Sequence, residues 1–347
     1  MGTHLVTGGS GFVGSHIAEH LLERGAEVRV FDRVEPDISG TDLAEAVTFV
    51  EGDVREPRRI AEAMEGVDYV HHTVALVPLT KAGTEFWEVN VDGTENVMEA
   101  ALEHGVEGVS HISSSAVYSL DEMPVTEETR LDPIGAYGRS KLAGDKVALD
   151  YAERGLPVNV LRPRTVLDER RAGIYEILFD WMDRDSLVFM LGDGTNQFQL
   201  VSARDLASAS HRAAVTDVRG EVFNVGNLEY NTLGEDLDHV IEYADSDSSV
   251  VYVPAAPASF GLGILDRLEL SPLAPWHYKS VFRDYYFDVS KTRDVLGWEP
   301  EDSNFEMFER AYDWHATQDI EATAETGSVH RTAPRQRLLG LVRRLRL

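Results

Sequence analysis

The stretch His4-Leu5-Val6-Thr7-Gly8-Gly9-Ser10-Gly11-Phe12-Val13-Gly14 decides the fold. Four residues of strand character run into a glycine loop, and the helical pattern Ser15-His16-Ile17-Ala18-Glu19-His20-Leu21-Leu22 follows. Gly8 permits a tight turn, Gly11 lets the backbone approach a pyrophosphate, and Gly14 lets the helix pack closely on the strand. The helix N-terminus then turns its partial positive charge toward the phosphates. A second strand, Val28-Arg29-Val30-Phe31, ends at Asp32. A carboxylate there accepts hydrogen bonds from both hydroxyls of an adenosine ribose. A glycine loop alone is also found as a plain turn in other α/β proteins; loop, helix and terminal acid together point to a dinucleotide site. Asp32 favours NAD over NADP, because a 2′-phosphate would meet a like charge, and Arg33 beside it softens that preference.

Outward from this unit, strand and helix patterns alternate. Strands are expected at 3–7, 27–31, 47–50, 67–71, 109–112 and 157–161, with helices near 12–24, 56–65, 84–104 and 137–154. This rhythm implies an α/β fold: a Rossmann-type, doubly wound parallel sheet with helices on both faces. Asp32, Asp53, Thr73 and Ser114 all fall at or just after expected strand ends, where such sheets bind ligands. The second part is less regular, with strands near 187–191, 198–201, 221–225 and 249–253 and helices near 173–184, 203–214 and 232–244. It reads as a smaller C-terminal α/β cap over a substrate cleft. The expected division is a dinucleotide-binding domain over 1–165, a mainly substrate-binding cap over 166–315, and a linker and tail over 316–347. The segment 254–275, rich in proline, glycine and small residues, reads as loop with one short helix.

Composition bounds the function. The chain has 347 residues and no cysteine, so no disulfide or thiolate metal site is possible. Only Met1 and Gly2 precede the first strand, so no signal peptide is expected, and no apolar run is long enough to span a bilayer. A cytoplasmic protein is the simplest expectation. Asp plus Glu number 60 against 32 Lys plus Arg, for a net charge of −28, and only five of the basic residues are lysine. Such a surface suits a salt-accumulating, halophilic cell, where concentrated salt screens the self-repulsion. It argues against nucleic-acid binding, which needs a basic footprint. Residues 331–347 break the pattern, with six arginines, no acid, and Leu338, Val342 and Leu345 at helical spacing. They read either as an amphipathic helix for peripheral membrane contact or as a frayed tail.

Tyr137 and Lys141 stand four apart within Ala136-Tyr137-Gly138-Arg139-Ser140-Lys141. On a helix they share a face. An ammonium beside a phenol stabilises the phenolate and lowers the tyrosine pKa. The phenolate can then take a proton from an alcohol while hydride leaves its carbon. This spacing alone is ordinarily a solvated helix face; after a dinucleotide loop it reads as a catalytic pair. The strand end Ile112-Ser113-Ser114-Ser115-Ala116-Val117-Tyr118 offers a hydroxyl for the reacting oxygen, with three adjacent serines to choose from. His71, His72 and His111 lie in or near core strands and read as structural, and no spacing suggests a metal site.

With these residues in place, the chain resembles the extended short-chain dehydrogenase/reductases of the NAD-dependent epimerase/dehydratase branch over about residues 3 to 315. The resemblance is carried by the glycine loop, Gly52-Asp53-Val54, Val89-Asn90-Val91-Asp92-Gly93-Thr94, the serine strand, Tyr137/Lys141, Leu161-Arg162-Pro163 and Leu296-Gly297-Trp298-Glu299-Pro300. It implies NAD as cofactor, held by Gly8, Gly11, Phe12, Val13, Gly14, Asp32 and Arg33. Asp53 and Val54 would contact adenine, Thr73, Val74, Ala75 and Asn90 would line the cofactor, and Pro163 would neighbour the nicotinamide. Counting four residues back from Tyr118 makes Ser114 the catalytic hydroxyl, with Ser115 as the fallback. It also implies a homodimer paired through helices near 84–104 and 137–154.

Two departures narrow the chemistry. Related sugar dehydratases place Asp-Glu directly after the catalytic hydroxyl residue; here those positions are Ser115 and Ala116, which disfavours dehydration and, for want of the glutamate, decarboxylation. Many 4-epimerases carry an asparagine after the sixth strand, whereas this segment reads Pro163-Arg164-Thr165-Val166, so hexose and nucleotide stay open. Ser115, Gln197 and Arg283 are expected on the substrate side; an arginine suits a diphosphate, although it is more ordinarily a surface residue. The expected function is a UDP-glucose 4-epimerase-like, NAD-dependent nucleotide-sugar epimerase. The alternative is a net dehydrogenase or reductase of a sugar or sterol-type hydroxyl. A non-catalytic NAD-binding scaffold would show a broken catalytic set, and none is broken here.

Overall fold

The computed structural model describes residues 2–36, 43–77, 82–267 and 275–318. The linker and arginine-rich tail expected at 316–347 lie almost wholly outside the described residues. In chain order the elements begin β1 (Thr3–Thr7), α1 (Phe12–Glu23), β2 (Glu27–Asp32), α2 (Leu43–Ala46), β3 (Thr48–Glu51), α3 (Pro57–Met64), β4 (Tyr69–His72), α4 (Glu85–Trp87), a π-turn (Glu88–Asp92) and α5 (Gly93–His104). There follow β5 (Gly108–Ile112), a 3-10 turn (Ser115–Val117), α6 (Gly135–Glu153), β6 (Val158–Pro163), β7 (Thr165–Val166), α7 (Tyr175–Met182), β8 (Leu187–Leu191), β9 (Gln197–Phe198), β10 (Leu200–Val201) and α8 (Ala203–Val215). The chain continues with β11 (Val222–Val225), β12 (Asn231–Thr232), α9 (Leu233–Tyr243), β13 (Ser249–Val253), α10 (Ala255–Arg267), α11 (Pro275–Ser280), α12 (Ser290–Leu296) and α13 (Asn304–Thr317).

Seven strands form one parallel sheet in the order β11-β6-β5-β4-β1-β2-β3. Buried apolar residues line β1 and β2, as a sheet covered on both faces requires, while β4, β5 and β6 also carry the buried polar residues His71, His72, Ser110, His111, Asn159 and Arg162. Ile60 and Ala63 of α3, Val97 and Met98 of α5, and Ala148 of α6 bury one face. Ile17 and Ala18 of α1 and Ala207 of α8 bury the other beside Val6, Val28 and Val30. The strand order reverses between β1 and β4, and Thr7 at the end of β1 stands opposite both Phe31 and His72. The crevice at that switch point is where such a sheet holds a ligand.

The second core gathers Leu167, Phe179, Met182, Leu200, Leu237 and Phe308 under the cap elements. Three differences from the expected elements have local causes. The strand expected at 198–201 is two strands, because the Gln199 side chain turns inward to bond the Asn227 carbonyl and the Phe287 amide, at 2.7 and 2.8 Å. The strand expected in the cap at 221–225 joins the main sheet beside β6. The segment from residue 254, expected as loop with one short helix, holds α10, a longer helix of 13 residues. No described helix is long and apolar enough to cross a membrane.

Candidate active site

The glycine loop is built by close contact. Gly8 has φ of +76°, and a Cβ there would lie 2.8 Å from Thr73 Oγ1; a Cβ on Gly14 would overlap the Gly8 carbonyl. Only glycine lets β1, α1 and the loop after β4 meet this closely. Gly11 caps α1 without a side-chain hydrogen bond, and no acid sits in the first turn. The first amides of α1 are thus left to an anion. Asp32 closes the site: its Oδ2 accepts from Ser10 N at 3.1 Å and its Oδ1 from Arg33 N at 2.7 Å. Burial raises its pKa, against these backbone donors. Uncapped helix amides, a glycine wall and a fixed carboxylate fit the diphosphate and adenosine ribose of NAD.

The neighbouring candidates divide. Asp53 is gripped by Arg55 at 2.7 Å, with Arg33 3.7 Å away. The Arg55 hydrogen bond is the largest influence holding its carboxyl below the usual range. Val54 points its side chain into the core, so only its backbone can meet an adenine. Thr73 and Val74 abut Gly8, and Thr73 Oγ1 donates to the Thr7 carbonyl at 2.8 Å. Ala75 follows on the same loop, half-buried. The Asn90 side chain differs from the expected cofactor contact. Its Oδ1 accepts from Leu76 N at 2.8 Å and its Nδ2 donates to Ser140 Oγ at 3.0 Å. It lies in the π-turn and ties the cofactor loop to α6.

At the far end of the crevice, α6 brings Tyr137 and Lys141 to the mouth of β5. A Cβ on Gly138 would lie 2.6 Å from the Ala116 carbonyl, so this glycine lets α6 rest on the serine turn. The three serines face different ways. Ser113 faces Asp145, Ser114 faces the Tyr137 phenol, and Ser115 faces Arg164. Ser114 also caps the 3-10 turn, accepting from Ala116 N at 3.2 Å. Burial raises the Tyr137 pKa, while Ser114 and the charge of Arg171 pull it down. The expected phenol–ammonium coupling differs here: Lys141 Nζ donates instead to the Ile112 carbonyl at 2.6 Å. Burial lowers Lys141 to about 8, opposed by the charge of Asp145.

Behind this pair runs a buried network that the motifs did not reveal. Arg162 Nε donates to Asp145 Oδ2 at 2.9 Å, Arg162 Nη1 to Tyr118 Oη at 2.9 Å, and Tyr118 Oη to Asn224 Oδ1 at 2.8 Å. Burial alone would raise Asp145, but His111 and the charge of Arg162 outweigh it and hold the carboxyl below its ordinary range. The sequence signal was Asp145 standing four residues beyond Lys141, on the same helix face. Just past the end of β6, two residues beyond Arg162, comes Arg164, only 3% exposed. Its guanidinium lies over the Tyr285 ring at 4.3 Å. Among the described residues its one polar contact is Nη1 to Ser115 Oγ at 3.4 Å, and its buried Nε has no partner. Burial lowers it to about 10. A cation over an aromatic face gains about 2 kcal/mol when desolvated, whereas burying an ion costs several.

On the cap side, Gln197 and Arg283 meet at one rim. Gln197 N donates to Asp284 Oδ1 at 2.7 Å, and Arg283 Nη1 donates to Asp121 Oδ1 at 3.0 Å. The Arg283 charge is therefore already answered by a carboxylate. The central histidines are tied into the core: His71 to His4 and Ser210, and His72 to Thr7 and Thr94. Burial lowers the pKa of both, and that of His111. Among the described residues no cluster of three or more His, Asp or Glu could hold a metal.

Comparison with known proteins agrees with this geometry. Protein y4nG of Sinorhizobium fredii is 38% identical over 343 residues, spanning 98% of this chain and 85% of that protein. Sterol demethylase protein B of Methylococcus capsulatus is 31% identical over 248 residues, 69% of this chain and 74% of the other. The solved structure of MoeE5 in complex with UDP-glucuronic acid and NAD superposes with a TM-score of 0.74 at 26% identity, covering 91% of this chain and 99% of that one. Residues 4–226 match the NAD dependent epimerase/dehydratase family, and the chain, an enzyme of the extended short-chain dehydrogenase/reductase type that uses NAD, belongs to it.

Proposed function

We propose that this chain is a nucleotide-sugar epimerase that works at C4 through a transient keto-sugar. One observation carries the reading: Tyr137 and Ser114 converge at the end of β5, in the sheet whose β1 end carries the NAD loop, while Ser115 and Ala116 supply no acid or base for elimination. The likeness to MoeE5, solved with a UDP-sugar acid and NAD, supports it.

Bound against the glycine loop and Asp32, NAD would supply a reversible hydride acceptor for the carbinol carbon. The protein's residues handle the proton and the oxygen. Ser114 hydrogen-bonds the reacting oxygen as alcohol and as carbonyl. Tyr137 takes the hydroxyl proton, its phenolate favoured by Ser114 and by Arg171. Lys141 holds positive charge beneath the pair through the Ile112 carbonyl, and Asn90 keeps the loop over β4 registered against α6. The keto-sugar turns over in the cleft, and Tyr137 returns the proton when hydride arrives on the other face. UDP-glucose and UDP-galactose should interconvert in strong salt without net NADH; stoichiometric NADH release would sink the reading for those sugars.

A second reading has its own support. Arg283, the cation expected to meet a diphosphate, is spent on Asp121, and one relative is a sterol demethylase protein. On this reading the same residues oxidise or reduce a sterol-type hydroxyl, with exchangeable NAD and NADH absorbance during turnover. We also propose a cytoplasmic homodimer paired through α5 and α6, testable by sedimentation. Peripheral membrane contact through 331–347 is testable by liposome flotation of the full chain against one ending at residue 330.

A further inference from the structure

We infer, resting on the reading that Ser114 and Tyr137 meet the reacting oxygen, that Arg164 receives a carboxylate borne by the substrate close to the carbon that is oxidised. The contrast with Arg162 carries the argument. Both arginines are buried two residues apart, Arg162 in β6 and Arg164 just past its end. Arg162 is answered in full by Asp145 and Tyr118. Arg164 has no carboxylate within ion-pair distance among the described residues, and its Nε is buried without a partner. Tyr285, Phe198 and Phe287 wall its guanidinium at 4.3, 5.9 and 5.8 Å, and none of these rings neutralises it. A buried guanidinium left this way expects its counter-charge from outside the polypeptide.

The place of that charge follows from Ser115. Arg164 Nη1 reaches Ser115 Oγ, and Tyr285 Oη fixes the Ser115 carbonyl at 2.7 Å. Ser115 adjoins Ser114, and adjacent residues lie about 3.8 Å apart along the chain. An anion on Arg164 would therefore lie one contact beyond Ser115, the residue next in the chain to the catalytic hydroxyl. It belongs to the reacting part of the substrate and not to a diphosphate at its distant end. The aromatic walls hold the guanidinium plane, and a planar fork matches a carboxylate with two parallel hydrogen bonds. Arg171, whose charge reaches Tyr137, brings a second cation to the catalytic tyrosine, with Glu176 opposing it. In a chain of net charge −28, this local positive character selects for an acid.

The test uses the full-length, NAD-loaded protein and two matched pairs: UDP-glucuronate against UDP-glucose, and methyl glucuronide against methyl glucoside. Binding is read by calorimetry and hydride transfer by nicotinamide absorbance after rapid mixing. In at least one pair the acid should bind about ten- to hundred-fold tighter, the size of a charge-assisted contact. Arg164→Gln should remove that preference while leaving the neutral partner within about threefold. The wild-type comparison needs no variant, so it decides even if Arg164→Gln does not fold. Equal binding of acid and neutral partner in both pairs overturns the inference, as does a preference that survives in Arg164→Gln. If the UDP pair binds no better than the methyl pair, the nucleotide-sugar reading fails separately, and the methyl pair alone judges Arg164.

Discussion

Removing Asp145 tests the buried network behind the catalytic pair. Its carboxylate and the Arg162 guanidinium are 2.9 Å apart, with side chains 1% and 4% exposed. At an effective dielectric of about 20 their attraction is roughly 6 kcal/mol. Breaking such a buried pair by removing one partner costs about 3–5 kcal/mol, because the other charge is stranded. Asp145→Leu leaves Arg162 with Tyr118 Oη but no carboxylate, and Arg162→Met leaves Asp145 facing His111 at 3.7 Å and Ser113 with no fixed cation. Each single change should lower the melting temperature by roughly 6–20 °C, at about 2–4 °C per kcal/mol. The double variant, with no stranded charge, should lose far less than the sum, leaving a coupling of at least about 2 kcal/mol. The assay is thermal and denaturant unfolding of the four proteins in concentrated KCl. Salt should barely reduce the coupling, since buried pairs are weakly screened. Losses that add to within about 0.5 kcal/mol would refute this reasoning. Asp145 also supplies the only resolved charge that raises Lys141. In any active Asp145→Leu protein the alkaline limb of kcat/KM should move to lower pH.

Three further outcomes are expected. Lys141 titrates at about 8 in the folded chain against 10.5 when unfolded, so the unfolded state binds more protons between these values and stability rises with pH across that window. Lys141→Met should remove a rise on the order of 3 kcal/mol between about pH 8 and 10.5, and an unchanged slope would contradict the burial of the ammonium. Gly138→Ala should gain about 1 kcal/mol of helix propensity yet lower turnover by at least about tenfold, because the new methyl meets the Ala116 carbonyl and lifts α6 off the serine turn. Full kinetics in that variant would show that α6 can move freely. With a net charge of −28, molar KCl should raise the melting temperature well beyond the effect of an isosmotic sugar; equal shifts would remove charge screening as the cause.

The parallel sheet was legible because short strand-like segments alternate with helical patterns, and β1 to β6 fall within about two residues of their expected places. The glycine loop and Asp32 were legible because close backbone approach leaves no other residue type. What stayed hidden depends on contacts distant in sequence. Arg162 and Arg164 look alike in the chain, and only the fold brings Asp145 to one and aromatic rings to the other. Asn90 sits in a motif that suggested cofactor contact, but the π-turn directs its amide to Leu76 and Ser140. Lys141 shares a helix face with Tyr137, yet its long side chain finds the Ile112 carbonyl. The start of α13 was readable and missed: Ser303 and Glu306 form a capping box, the Ser-x-x-Glu signature of a helix N-terminus.

The most direct measurement pairs NAD binding with turnover in Tyr137→Phe. Loss of the phenolic oxygen should cut turnover by roughly 10²–10⁴ while NAD binds within about threefold of the parent protein, because the glycine loop and Asp32 are untouched. Undiminished turnover in Tyr137→Phe would remove the phenol as the proton acceptor, and with it the chemistry assigned to this cleft.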